Sequence, residues 1–86
     1  MRSTTIAQGE RYKLISWGNG LAYCLEDTCE GLDVFVQGDD ASDFRAAWDA
    51  VETVMSDKPA DVVLGYMWDQ MGYGAAARPV VTGEVA

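Results

Sequence analysis

The stretch Arg11-Tyr-Lys-Leu-Ile-Ser-Trp17-Gly18-Asn19-Gly20-Leu21-Ala-Tyr-Cys-Leu-Glu26 decides the fold. Its first seven residues are rich in strand formers, and Asn19-Gly20 supplies the positive φ angles of a tight hairpin turn. Leu21 to Glu26 then reads as the returning strand. With Asn19 and Gly20 as the two turn residues, Trp17 faces Ala22, Ser16 faces Tyr23, Ile15 faces Cys24, Leu14 faces Leu25 and Lys13 faces Glu26. The opposite charges of the last pair favour that register.

Working outward, the turn Asp27 to Gly31 leads into Leu32-Asp-Val-Phe-Val-Gln37, a third strand, so residues 11–37 form an antiparallel meander. Side chains alternate along strands, which gathers Tyr12, Leu14, Tyr23, Leu25, Leu32, Val34 and Val36 on one almost wholly apolar face. That face is the expected core. The opposite face carries Lys13, Ile15, Trp17, Cys24, Glu26, Asp33, Phe35 and Gln37, and one side of such a meander commonly meets water.

After Gly38 the period changes. Phe44, Ala47, Trp48, Val51 and Met55 share one helical face, with Arg45, Asp49 and Glu52 opposite. The spacing predicts a helix over 41–56, with Asp40 as its N-cap and Asp43 in its first turn. Asp57-Lys58-Pro59 breaks it, and Pro59 suits the first position of a second helix over 59–71. There Leu64, Met67, Trp68 and Met71 repeat the apolar spacing and Gly72 ends the run. Residues 1–10 are a lead-in with room for a short edge strand from Thr4 to Ala7. Residues 78–86 form a tail that either adds a strand from Pro79 to Thr82 or is disordered. The expected architecture is a single α+β domain over 1–86, a three-stranded antiparallel meander with two helices packed on one face.

At 86 residues the chain has room for one small core, and an apolar fraction of 49% is too high for its acidic middle to be read as disorder. No apolar run approaches the roughly 20 residues that span a bilayer, and no basic-then-apolar leader opens the chain, so a cytoplasmic location is expected. Anionic lipid headgroups would repel it. Cys24 and Cys29, with no histidine and no CxxC, match no structural zinc pattern; a disulfide is conceivable, and free thiols are expected in a reducing compartment.

The charge is strongly segregated. Residues 26–61 hold eleven carboxylates against two cations, Arg45 and Lys58, a net of −9 in a chain of −8. A field of that sign repels nucleic acid and attracts proteins that bind it. Direct nucleic-acid binding is not expected, because six Lys and Arg would have to overcome net repulsion. Without histidine the usual serine and cysteine nucleophile systems are missing, and carboxylate pairs would need a cleft that this small set of elements hardly supplies. The expectation is a protein that is not an enzyme and carries no cofactor.

Asp39, Asp40 and Asp43 lack the spacing of a calcium loop and are read as helix capping and solvation rather than as a metal site. Gly18-Asn19-Gly20 is a hairpin turn and not a phosphate cradle, since no helix start follows it. The acidic loops Asp27 to Glu30 and Asp39 to Asp43 flank the third strand, about 20 Å apart, a spread that suits an extended basic surface. Trp17, Ile15 and Phe35, on a face also bearing Lys13, Glu26 and Asp33, have the composition of an interface anchor with a charged rim. The alternative is that the tail or second helix covers them.

In length, in the −9 stretch from Glu26 to Asp61, in the Asn19-Gly20 meander followed by helices and in the lack of a catalytic set, the chain resembles the small acidic anti-CRISPR proteins of phages and mobile elements. The resemblance implies a stoichiometric inhibitor of a CRISPR effector, a type I surveillance complex (Cascade), occupying its basic surface for target DNA. Asp27, Glu30, Asp33, Asp39, Asp40 and Asp43 would then stand in for phosphates, with Trp17 and Phe35 as anchors. Another reading is an adaptor that binds a cellular protein through the outer sheet face.

Overall fold

The structure is a computed structural model that describes residues 3–18 and 20–79. In chain order it contains β1 (Ser3–Gln8), β2 (Tyr12–Trp17), β3 (Ala22–Asp27), β4 (Leu32–Gln37), α1 (Asp39–Val54), α2 (Ala60–Asp69), a short 3-10 turn (Tyr73–Ala76) and β5 (Arg78–Pro79). The strands form one antiparallel sheet in the order β1-β2-β3-β4-β5. The fold is thus α+β, with a five-stranded sheet in place of the three-stranded meander.

The β2–β3 register is the one the alternation and the Asn-Gly turn imply, from Lys13 opposite Glu26 to Trp17 opposite Ala22. The connection differs. The Leu21 N–H donates to the Trp17 carbonyl at 3.0 Å, which closes a four-residue loop, and both Gly18 and Gly20 have positive φ. Asn19 lies outside the described residues. At Gly20 a side chain would also press on the Tyr23 hydroxyl, so glycine is required twice over. Lys13 and Glu26 face each other, but among the described residues the ion pairs are Arg11–Asp27 and Arg45–Asp49.

Both termini add strands. β1 extends one residue past each end of the span Thr4 to Ala7 and carries a bulge between Thr5 and Ala7, which leaves Ile6 and Ala7 lining one groove beside Trp48. β5 pairs Arg78 with Asp33 and Pro79 with Leu32, so it starts before the expected Pro79 to Thr82; residues 80–86 lie outside the described residues.

The helices differ from expectation at their ends. α1 begins at Asp39 and its N-cap is Gly38, at φ 64° and ψ −134°, with no side-chain cap. Asp40 is therefore inside the first turn, where with Asp39 it meets the positive end of the helix dipole. Ala41 and Ser42 N–H groups are satisfied by the Gly38 carbonyl. α1 stops at Val54, and Pro59 stands at the N-cap of α2 rather than inside it, accepting from Val62 and Val63.

The core lies between the helices and the face built from Tyr12, Leu14, Tyr23, Leu25 and Val34. α1 contributes Ala41, Phe44, Trp48 and Val51; α2 contributes Val63, Leu64, Met67 and Trp68. Met71, expected in the core, is exposed because α2 ends before it, and Val63 takes a buried place instead. Phe44 is the hub: it stacks on Tyr23 at 5.3 Å and receives Tyr73 edge-on at 4.9 Å.

Candidate partner-binding surface

The acids that the sequence groups together divide by structural role. Asp27 is 1% exposed. Its Oδ2 accepts from Arg11 Nε and Nη2 at 3.1 and 3.0 Å, and its Oδ1 accepts the backbone N–H groups of Cys29 and Glu30, both at 3.1 Å. Burial works against the charged form, but the Arg11 hydrogen bond and the two amides outweigh it and hold the carboxyl below the usual carboxylate range. Asp27 therefore shapes the β3–β4 turn and offers nothing to a partner.

Asp61, which had no role in the sequence pattern beyond its charge, is the other inward-acting acid. It accepts the backbone N–H groups of Glu10, Arg11 and Tyr12 at 2.8, 3.0 and 3.0 Å, tying the start of α2 to the β1–β2 turn. The Tyr12 and Arg11 amides, ahead of any charge, lower its pKa. Gly9 completes this clamp, since a Cβ there would overlap the Asp61 carboxylate. A glycine just before the amides of Glu10, Arg11 and Tyr12, with an acid early in a helix, was the available signal.

Asp33 is half-buried on the outer sheet face, where it lies opposite Glu26 and accepts from the Cys24 thiol at 3.6 Å. Burial, then the Asp33 charge, pushes the Cys24 thiol up to about 12. Cys24 and the exposed Cys29 are both free thiols.

Glu30, Asp39, Asp40 and Asp43 are exposed, and among the described residues none of them is in an ion pair. Three sit on the first turns of α1, held by the helix backbone; Glu30 stands at the other end of β4, six residues of strand or about 20 Å away. Two of them act on Tyr73 through their charge: its hydroxyl is pushed up by burial and then by Asp43 and Asp40.

The outer sheet face is organised in cross-strand rows. Register aligns Thr5, Ile15, Cys24 and Phe35 in one row and Lys13, Glu26 and Asp33 in the next. Both helices pack on the opposite face, so Phe35 remains 53% exposed while Trp17 is half-buried beside Ala22. A second apolar surface arises where Val54 is 81% exposed: Ala50, Val51, Val54, Met55 and Tyr66 line a groove of about 240 Å³ between the helices. Ala50 and Val54, four apart on α1, carried that signal in the sequence.

Among the described residues, no three His, Cys, Asp or Glu side chains gather as metal ligands, and no helix is long and apolar enough to cross a membrane. The architecture defines a small acidic α+β protein with an antiparallel sheet covered by helices on one face. No family model matches the chain, and neither a curated protein nor a solved structure matches it.

Proposed function

We propose that this protein is a stoichiometric binding protein that docks an acidic surface on the basic nucleic-acid-binding site of another protein. The observation that supports this reading is the group of exposed carboxylates of Glu30, Asp39, Asp40 and Asp43, in no ion pair among the described residues, with three on the first turns of α1 and one on the turn before β4. Carboxylates fixed in this way need little ordering on binding, and their field steers a basic partner toward them. Asp27 drops out of the contact set because its oxygens are used internally, and Asp33 joins only by its free edge.

The narrower form of the reading is an inhibitor of a type I CRISPR effector, Cascade, that competes with target DNA. It rests on the resemblance of the sequence to small acidic anti-CRISPR proteins. Surface plasmon resonance with purified Cascade tests it. The expected result is binding that excludes target DNA, with an association rate that falls at least about tenfold between roughly 0.05 and 0.5 M salt. Simultaneous binding of DNA and inhibitor would overturn the competition, and a salt-insensitive rate would overturn the steering.

An adaptor acting through the outer sheet face is a second reading, favoured by the exposed Phe35 in its apolar row. Trp17→Ala with Phe35→Ala abolishes binding on that reading, while Asp39→Lys with Asp40→Lys leaves it intact. On the charge reading the Asp39 and Asp40 reversal itself abolishes binding, and that variant separates the two.

A further inference from the structure

The two edges of the sheet are finished differently. β1 is blunted by its bulge, a common device for keeping other strands away. β4 runs in unbroken register against β3. β5 covers only Leu32 and Asp33 of it. Val34-Phe35-Val36-Gln37 thus has no strand on its outer side among the described residues, and it contains neither charge, proline nor glycine. In such a strand alternate residues turn both N–H and C=O outward, so this stretch presents two such residues as a template for pairing.

A groove of about 440 Å³ runs along this edge, with Val34 to Val36 on one wall and Ala76 and Arg78 on the other. Asp33 and Asp40 also line it, and Asp39 and Asp43 follow on α1. We infer that the open edge of β4 is a strand-addition site for an extended, lysine- or arginine-bearing segment of a partner protein. Main-chain hydrogen bonds supply the pairing, and the carboxylates around the groove supply the preference for a basic segment. Charge selects among occupants. A second copy of the chain would bring −8 against −8 and, in a two-fold pairing of β4 with β4, would set one acidic edge against another. A basic segment meets Asp33 and Asp40 with only Arg78 to oppose it. The inference rests on the acidic-surface reading above and specifies how the partner is held.

Two acetylated, amidated peptides of equal charge test it on the full chain: Lys-Val-Lys-Val-Lys-Val-Lys, which can extend as a strand, and Lys-Pro-Lys-Lys-Pro-Pro-Lys, whose prolines fall in both alternating phases and so remove an inward donor in either register. Calorimetry is expected to show the valine peptide binding at least about tenfold more tightly. Amide hydrogen exchange is expected to slow in residues 34–37 and to stay unchanged in β1. Equal affinities, no binding of either peptide, or protection elsewhere would overturn strand addition. Protection of residues 34–37 without peptide would also overturn it, since that edge would then be occupied by a second copy if dilution removes the protection, or by the chain's own end if deletion of residues 80–86 removes it. Equal but salt-sensitive binding of both peptides would leave the acidic-surface reading standing and remove only the strand pairing.

Discussion

Asp61 and Asp27 are acids that work on the molecule's own backbone, and their environments set how the protein responds to acid. Both have folded pKa values below the ordinary value of 3.8, so each contributes stability that is fully present above about pH 4. That contribution is lost as pH falls through the unfolded value toward the lower folded one. Asp61→Asn places an amide group among three N–H donors; its denaturation midpoint at pH 7 is expected to be lower and its acid limb flatter, both measurable by circular dichroism. Asp27→Ala strands the turn amides of Cys29 and Glu30 and frees Arg11, a loss of about 2 kcal/mol by urea titration. The thiols differ for an equally local reason. With Cys24 raised to about 12 by burial and by Asp33, the nucleophilic thiolate is scarce there at pH 8. A disulfide reagent should therefore titrate the exposed Cys29 first and Cys24 in a slow phase, which Asp33→Ala accelerates; equal rates would contradict this placement.

At the scale of elements, the β2–β3 register could be read because one face of the hairpin is almost wholly apolar, and a slip by one residue would bury Lys13 and Glu26. The core faces of α1 and α2 followed from spacing in the same way, from Phe44 to Val51 and from Leu64 to Trp68. What escaped is decided by backbone conformation and distant contacts. Gly38 carries no side chain to mark it as a cap, whereas Asp40 looks like one, so the start of α1 was displaced by two residues. β1 is an exposed edge strand with little apolar alternation and β5 is only two residues long, and their pairing depends on a sheet already in place. The acidic candidates were found by residue type, yet the fold turns Asp27 inward and leaves Glu30 outward, a distinction that charge alone does not contain. Gly38 offers a clean test of the capping account. A Cβ there meets nothing within 4 Å, so Gly38→Ala costs only the strain of its positive φ, roughly 1–2 kcal/mol.

At the scale of the whole molecule, a net charge of −8 is held on a body measuring 43 × 26 × 21 Å. Self-repulsion opposes that compaction, and added salt relieves it. The thermal midpoint is expected to rise between about 0.02 and 0.5 M sodium chloride, and the gain should shrink when Asp39, Asp40 and Asp43 are changed to Asn. A midpoint indifferent to salt would mean that the acids are too far apart to repel one another. The Asp61 clamp has a kinetic corollary. The amides it receives lie about fifty residues upstream, at positions 10 to 12, so the first turn of the sheet, closed locally by the Gly9 N–H on the Tyr12 carbonyl, gains its remaining hydrogen bonds only when the second helix has docked. Contacts of such sequence separation raise the cost of loop closure, so relieving the clamp at Asp61 acts on the rate at which the chain folds as well as on its stability.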